Sequence, residues 1–307
     1  VILEKIDYGV FMCLNTAMNK IYDCFTFYNE LDLLELRLAE LYNTVDHFVI
    51  VESNQTFTNR AKPFLFDENK ERYARWLDKI IHIKVEDMPG SDNPWDNEIH
   101  QRNSIMRGLV EANDDDIVFI SDVDEVLRRQ AAEYIKTTDQ TLFALRMPIF
   151  NFKFNYIKVN PDRYNIWAMA ARRSVFNDIT PNSLRDMRFG FFNCEYQFSN
   201  SGCEVIEHGG WHFGYLGDRE YLIDKAKSFS HQEANTPEFI AQIDPEASIA
   251  KRASWLQDGG DVYEIIELDT YFPKYLLDNQ NKYQQYILKD PVTTAQALLP
   301  DVPYSTT

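Results

Sequence analysis

The chain has 307 residues, 45% of them apolar, with 31 Lys and Arg against 48 Asp and Glu for a formal net charge of −17. That length and apolar content support a substantial core, in one large domain or two smaller ones. So negative a surface repels nucleic-acid backbones and anionic lipid, and a nucleotide diphosphate is compatible only where a divalent cation or a local Arg/Lys cluster offsets the charge.

Residues 1–20 show no clear period and read as a lead-in. Residues 21–27 alternate and are rich in β-formers, which predicts a strand. Asn29-Glu30 then opens a helix with Leu31, Leu34, Leu38 and Leu41 at helical spacing. The run His47-Phe48-Val49-Ile50-Val51 predicts a strand buried on both faces. A polar helix over 68–77, a strand over 80–85, a loop containing Pro89, Gly90 and Pro94, a helix over 98–112 and a strand over 117–120 follow. This alternation predicts an α/β fold, a Rossmann-like, mainly parallel sheet with helices on both faces. Ligands of such sheets bind outside the carboxyl ends of the strands.

The second half reads differently. Residues 142–157 alternate like a hairpin or one long bent strand, irregular aromatic-rich sequence runs on to 213, and helices are expected over 218–230, 245–255 and 273–288. With no repeat and no Gly/Ser/Pro linker, one unit over 21–290 is expected. Its expected halves are a nucleotide half (21–125) and an irregular acceptor half (126–290), followed by a tail over 291–307.

Cys13, Cys24, Cys194 and Cys203 are too few and scattered for a disulfide framework; Cys194 and Cys203 can pair across a loop, but reduced thiols are the favoured reading. No apolar run reaches the roughly 18 residues of a membrane span, and the start lacks a signal-peptide pattern. A cytoplasmic location is expected, although a chain that begins with Val1 is also compatible with an upstream Golgi-type anchor.

Ser121-Asp122-Val123-Asp124-Glu125 ends the fourth strand. Two carboxylates at the mouth of a cleft suit a hard cation such as Mg²⁺ or Mn²⁺, which in turn offsets a diphosphate. The same signature fits a haloacid-dehalogenase-like phosphatase, with Asp122 as nucleophile, Asp124 as acid/base and Asp218 with Asp224 as later acids. Against it, three strands precede the motif and Asp218 opens a helix. A non-catalytic glycan-binding module is a third reading, consistent with 17 Tyr and 21 Phe available to stack on sugars. Such neighbouring carboxylates repel, so removing one is expected to be neutral or mildly stabilising without metal.

The stretches 28–37 (Tyr-Asn-Glu-Leu-Asp-Leu-Leu-Glu-Leu-Arg) and 45–54 (Val-Asp-His-Phe-Val-Ile-Val-Glu-Ser-Asn), Asp122-Val123-Asp124-Glu125, Gly210-Trp211-His212-Phe213 and Phe272-Pro273-Lys274-Tyr275 resemble, in order, glycosyltransferase family 17. The resemblance implies a GT-A-like fold, a UDP-sugar donor (UDP-N-acetylglucosamine first), a divalent metal and inversion at the anomeric carbon of a sugar passed to a saccharide hydroxyl. It does not extend to the acceptor, because residues 150–205 depart from the family's vertebrate members.

Further site residues are each weighed against a structural role. Glu52, at a strand end, binds the donor or caps a loop. Asn29 and Glu30 line the nucleotide pocket or cap the leucine helix, capping being favoured for Asn29. Arg102 reaches the diphosphate, holds Asp122, or makes an i,i+4 pair with Glu98. His212 is a late third metal ligand or a hydrogen-bonded core residue, and the resemblance favours the ligand. Trp211 is a sugar platform or packing, and Lys225 touches the diphosphate or is solvated. An inverting displacement needs a base, for which Glu207 and Asp218 are the candidates.

Overall fold

The computed structural model describes residues 19–159, 164–193, 202–254 and 260–298. The lead-in up to residue 18, Cys13, Cys194 and the last residues of the tail lie outside these. Four parallel strands come first: β1 (Ile21–Thr26), β2 (His47–Ser53), β3 (Ile80–Val85) and β4 (Ile117–Asp122), in spatial order β3-β2-β1-β4. Between them lie α1 (Leu31–Leu41), the single turn α2 (Leu65–Glu68) and α3 (Pro94–Asn103). Period-two alternation decides which way each apolar residue packs. Ile21, Phe48, Ile50, Ile117 and Phe119 pack with Leu34, Leu38 and Leu41 of α1. Tyr22, Cys24, Val49, Val51, Val118 and Ile120 pack on the opposite face with Ile105 and Leu109. The runs that predicted strands buried on both faces are therefore sandwiched, as expected.

The sheet continues without a break into the second half. After β5 (Glu125–Leu127) and α4 (Arg129–Thr137) come β6 (Leu142–Asn151), β7 (Tyr156–Lys158) and β8 (Tyr164–Arg172). Strand β8 lies between β4 and β6, antiparallel to both. Helices α5 (Pro181–Asp186) and α6 (Arg188–Asn193) lead to β9 (Cys203–Ile206) and β10 (Gly210–Gly214), both parallel to β6, with β10 also antiparallel to β5. Then follow α7 (Arg219–Ser228), α8 (Pro237–Gln242), α9 (Pro245–Ala250) and β11 (Tyr263–Glu267), which pairs with β7. The result is a GT-A-like arrangement, a Rossmann-like parallel half continued by a mixed half. Among the described residues no helix is long and apolar enough to cross a membrane.

Four expectations are corrected. The helix over 68–77 is mainly a 3₁₀ stretch, Lys70–Lys79, a geometry that aligns residues three apart and so turns Tyr73 and Trp76 inward together. The helix over 98–112 starts earlier, because Asn93 caps it and Pro94 takes the first turn. It tightens to 3₁₀ at Ser104–Gly108, where a Cβ on Gly108 would lie 2.5 Å from Val49 Cγ1. The irregular stretch before 213 contains a central strand, β8, whose Ala168, Ala170 and Ala171 carry little strand signal. The closing helix is one short turn, Lys274–Asp278, followed by a 3₁₀ turn at Gln284–Tyr286.

Candidate active site

At the carboxyl ends of β1 and β4 the molecule opens a cleft of about 580 Å³, lined by the 122–125 motif, Thr26–Tyr28, Trp167, His212 and Lys225 among others. Arg37 of α1 fixes its floor. Its fully buried guanidinium pairs with the buried Asp23 carboxylate and donates to Ser121 Oγ at 2.6 Å, to the Asp122 carbonyl at 2.8 Å and to the Glu125 carbonyl at 2.9 Å. The turn between β4 and β5 is thus tied to α1 by one side chain.

Strand β10 brings the second half to this turn. His212 pairs with Glu125 in register, and Phe213 N donates to the Asp124 carbonyl at 2.8 Å. Gly210 is required there, since a Cβ would lie 2.2 Å from the Val126 carbonyl oxygen. Alternation then points His212 into the cleft and sends Trp211 and Phe213 to the other face. Trp211 is core, packed with Phe150 and Phe272 beneath the Arg128 guanidinium. It is not a sugar platform. The tryptophan in the cleft is Trp167 of β8, its ring centroid 4.0 Å from that of His212.

The motif's acids have different partners. Asp122 Oδ1 accepts from Arg102 Nη2 at 3.0 Å and Oδ2 from Arg185 Nη2 at 2.9 Å. Burial alone would raise its pKa, but Arg185, Arg102 and Arg188 outweigh burial and hold the carboxyl well below its ordinary range. Both its oxygens face guanidinium groups, and Asp122 is not in the group of acids and histidine that lie close enough to share a cation. The atoms close enough to share one cation belong to Asp124, Glu125 and His212, all within 4.8 Å of one another. Glu125 is pushed up to about 7 by burial, against the pull of Arg185. His212 is pushed down to about 4 by burial, despite Asp124 beside it, so its imidazole is neutral at pH 7. Its buried Nδ1 has no hydrogen-bond partner among the described residues. Two hard oxygens and a neutral ring nitrogen fit Mn²⁺ or Mg²⁺.

Lys225 is neither solvated nor free for a phosphate: its Nζ lies 3.2 Å from Asp124 Oδ2. Burial opposes its charge, but Tyr221, Asp124 and Glu30 outweigh burial and hold its pKa well above the ordinary value. Arg102 both holds Asp122 and pairs with Glu98, at 2.8 Å. Glu30 borders the cleft and turns its carboxylate back to the Tyr28 and Asn29 amides at 3.2 and 3.0 Å.

Other expected residues lie elsewhere. Glu52 is fully buried and accepts from Lys62 Nζ, the Leu65 and Phe66 amides and His82 Nε2, so it clamps the 62–66 loop and does not line the cleft. Asn29 does not cap α1 with its side chain, whose buried Oδ1 has no partner among the described residues; it borders a separate cavity of about 270 Å³. Asp218 caps α7, accepting from Tyr221 N at 2.9 Å, and faces that same second cavity. Glu207 is half-exposed and pairs with Arg146 at 2.8 Å. Neither proposed base reaches the cleft. Asp224, bonded to the Tyr28 hydroxyl and Arg60, does not join Asp218, so the acids a phosphatase would gather around Asp122 are dispersed.

The description of glycosyltransferase family 17 matches residues 12–267. The chain is 22% identical over 293 residues to a β-1,4-mannosyl-glycoprotein 4-β-N-acetylglucosaminyltransferase of Rattus norvegicus, covering 86% of this chain and 53% of that protein. The Homo sapiens protein of the same name is 21% identical, covering 86% of this chain and 54% of its own length. The chain therefore spans about half the length of the curated relatives it matches. Among solved structures it is similar to the inositol-1-phosphate CTP transferase from T. maritima, with a TM-score of 0.40 and 11% identity over 67% of this chain and 94% of that one.

Proposed function

The chain belongs to glycosyltransferase family 17, and on that premise we propose that it transfers a sugar, N-acetylglucosamine first, from a UDP-sugar to a saccharide hydroxyl with inversion. The observation that carries this reading is the convergence of Asp124, Glu125 and His212 at the floor of a cleft on the carboxyl edge of the parallel strands. Nucleotides bind at that edge, so Phe27, Tyr28, Thr56 and Trp95 line the nucleoside end. Asp124, Glu125 and His212 would hold a divalent cation, which when bound would neutralise the diphosphate and stabilise the charge gained on departure.

In the reaction the acceptor oxygen attacks the anomeric carbon opposite the diphosphate. The new C–O bond forms as the bond to the β-phosphate oxygen breaks, and the electron pair leaves with the diphosphate. The hydroxyl proton passes to a carboxylate. We assign that role to Asp261. His212 pairs with Ile149 of β6, Lys158 falls opposite Ile149, and Tyr263 pairs with Lys158, so the four share one face along a row across the sheet. Asp261 Oδ1 lies 2.7 Å from Lys158 Nζ, and both line the cleft. Lys158 is two strand spacings, about 10 Å, from His212, which leaves room for one sugar ring between cation and base. Of the other cleft carboxylates among the described residues, Asp122, Asp124 and Glu125 form or adjoin the proposed cation site, Glu98 is held by Arg102 and Ser230, and Glu30 turns back to the Tyr28 and Asn29 amides.

Incubating the protein with UDP-sugars, Mn²⁺ and a glycan panel is expected to release UDP and extend a glycan, with activity lost in excess chelator. Glycan binding without donor turnover supports a lectin instead, and full activity in chelator removes the metal. Asp261→Asn is expected to lower kcat by about 10²- to 10⁴-fold while leaving UDP affinity and Tm unchanged. A variant within threefold of the parent places the base elsewhere.

A further inference from the structure

Three arginines converge on the motif from α3, α5 and α6, and they are satisfied unequally. Arg102 bonds Asn182, Glu98 and Asp122. Arg185 bonds Asp122 and Glu125 through Nη2, while its buried Nε and Nη1 have no partner among the described residues. Arg188 is the extreme case: among the described residues its buried Nε and Nη1 have no hydrogen-bond partner, and its nearest carboxylate oxygen, Glu125 Oε1, is 3.9 Å away, beyond hydrogen-bonding range. Only 17% of this side chain is exposed. The guanidinium is held by ring contacts, 4.8 Å from the Phe189 centroid and 5.9 Å from that of Trp167.

A buried guanidinium with unmade hydrogen bonds is unfavourable, and its planar fork fits a carboxylate or a phosphate. The acceptor hydroxyl is neutral and offers no such charge; the donor's diphosphate does. Glu125 adjoins Arg188 and also belongs to the cation set, and Trp167 touches both Arg188 and His212. An oxyanion at Arg188 is therefore beside the cation site. Resting on the function proposed above, we infer that Arg188, backed by Arg185, is the seat of the donor's β-phosphate, a second counter-charge placed where the leaving group gains negative charge.

The test measures binding of UDP, UMP, uridine and inorganic pyrophosphate by calorimetry with Mn²⁺ present, for the parent, Arg188→Ala and Arg188→Lys. Arg188→Ala is expected to weaken UDP and pyrophosphate by about ten- to a hundredfold, the range for a charge-assisted hydrogen bond, and to leave UMP and uridine within threefold. Arg188→Lys should recover part of the loss. Without ligand, Arg188→Ala should stay folded, since Arg102 and Arg185 still neutralise Asp122 and Arg185 still pairs with Glu125. Unchanged UDP and pyrophosphate affinity overturns the assignment, as does equal weakening of all four ligands. A rise confined to the acceptor KM moves Arg188 to an anionic group on the acceptor and likewise overturns it. Pyrophosphate binding that depends on Arg188, in a parent that binds no UDP, keeps the oxyanion seat and sinks only the nucleotide-sugar reading.

Discussion

Asp124→Asn is expected to leave the protein folded and to reduce sugar transfer by about a thousandfold, the scale for removing a preorganised electrostatic stabiliser. Asp124 is the centre of the proposed site, with Oδ1 3.9 Å from His212 Nε2 and Oδ2 3.2 Å from Lys225 Nζ. The sequence suggested that losing one motif carboxylate would relieve repulsion. The structure removes that premise, because Asp122 is neutralised by Arg102 and Arg185 and Asp124 by Lys225. Alanine would strand a buried ammonium, which is destabilising; asparagine keeps an acceptor for Lys225 and loses only the charge. In the parent, Mn²⁺ with UDP should raise the unfolding free energy by about 2.7 kcal/mol at a hundred times Kd. The Asn variant should show almost none of that rise in a thermal-shift measurement. His212→Ala should weaken Mn²⁺ less than Asp124→Asn does. Parental turnover by Asp124→Asn in Mn²⁺ removes the central premise.

What the sequence revealed follows from how each signal is encoded. β1 and the only partly buried β3 were readable from their β-branched and aromatic residues; β2 and β4 were readable because both faces of each are buried over most of their length, which leaves apolar runs. The acidic motif was readable for the same reason, as a break in such a run. β8 was missed because a central strand that packs small residues against helices carries alanine where strand propensity expects branched side chains. Glu52, Glu207 and Asp218 were misplaced because a carboxylate's role depends on which amides or cations surround it, a tertiary property. Glu52 even stands at the expected strand end, yet its pleat turns it toward Leu65 and Phe66 and away from the cleft. Arg185, Arg188 and Asp261 had no local signature at all. The one usable clue was alternation: with His212 facing a ligand, Trp211 had to face the core.

The largest stability loss from a single substitution at the site is expected at Arg37, which touches no substrate. It sits beneath the motif with Asp23; both are fully buried. Its remaining donors take Ser121 Oγ and the carbonyls of Asp122 and Glu125, and its face lies 4.2 Å from the Phe25 ring centroid. Arg37→Met keeps much of the volume but leaves Asp23 as an uncompensated buried charge, a change that costs about 3–5 kcal/mol. Against a typical domain stability of about 5–15 kcal/mol, the variant should lose a large share of its denaturant midpoint. Adding Asp23→Asn removes that charge, so the double variant should regain much of the stability. It should not regain transfer, because the carbonyls of the 122–125 turn still lack their donor and Asp124 is no longer held against His212. The split between recovered folding and unrecovered UDP binding distinguishes a positioning residue from a merely structural pair. If the single variant unfolds within about 1 kcal/mol of the parent, or the double variant binds UDP with parental affinity, Arg37 does not set the motif's geometry.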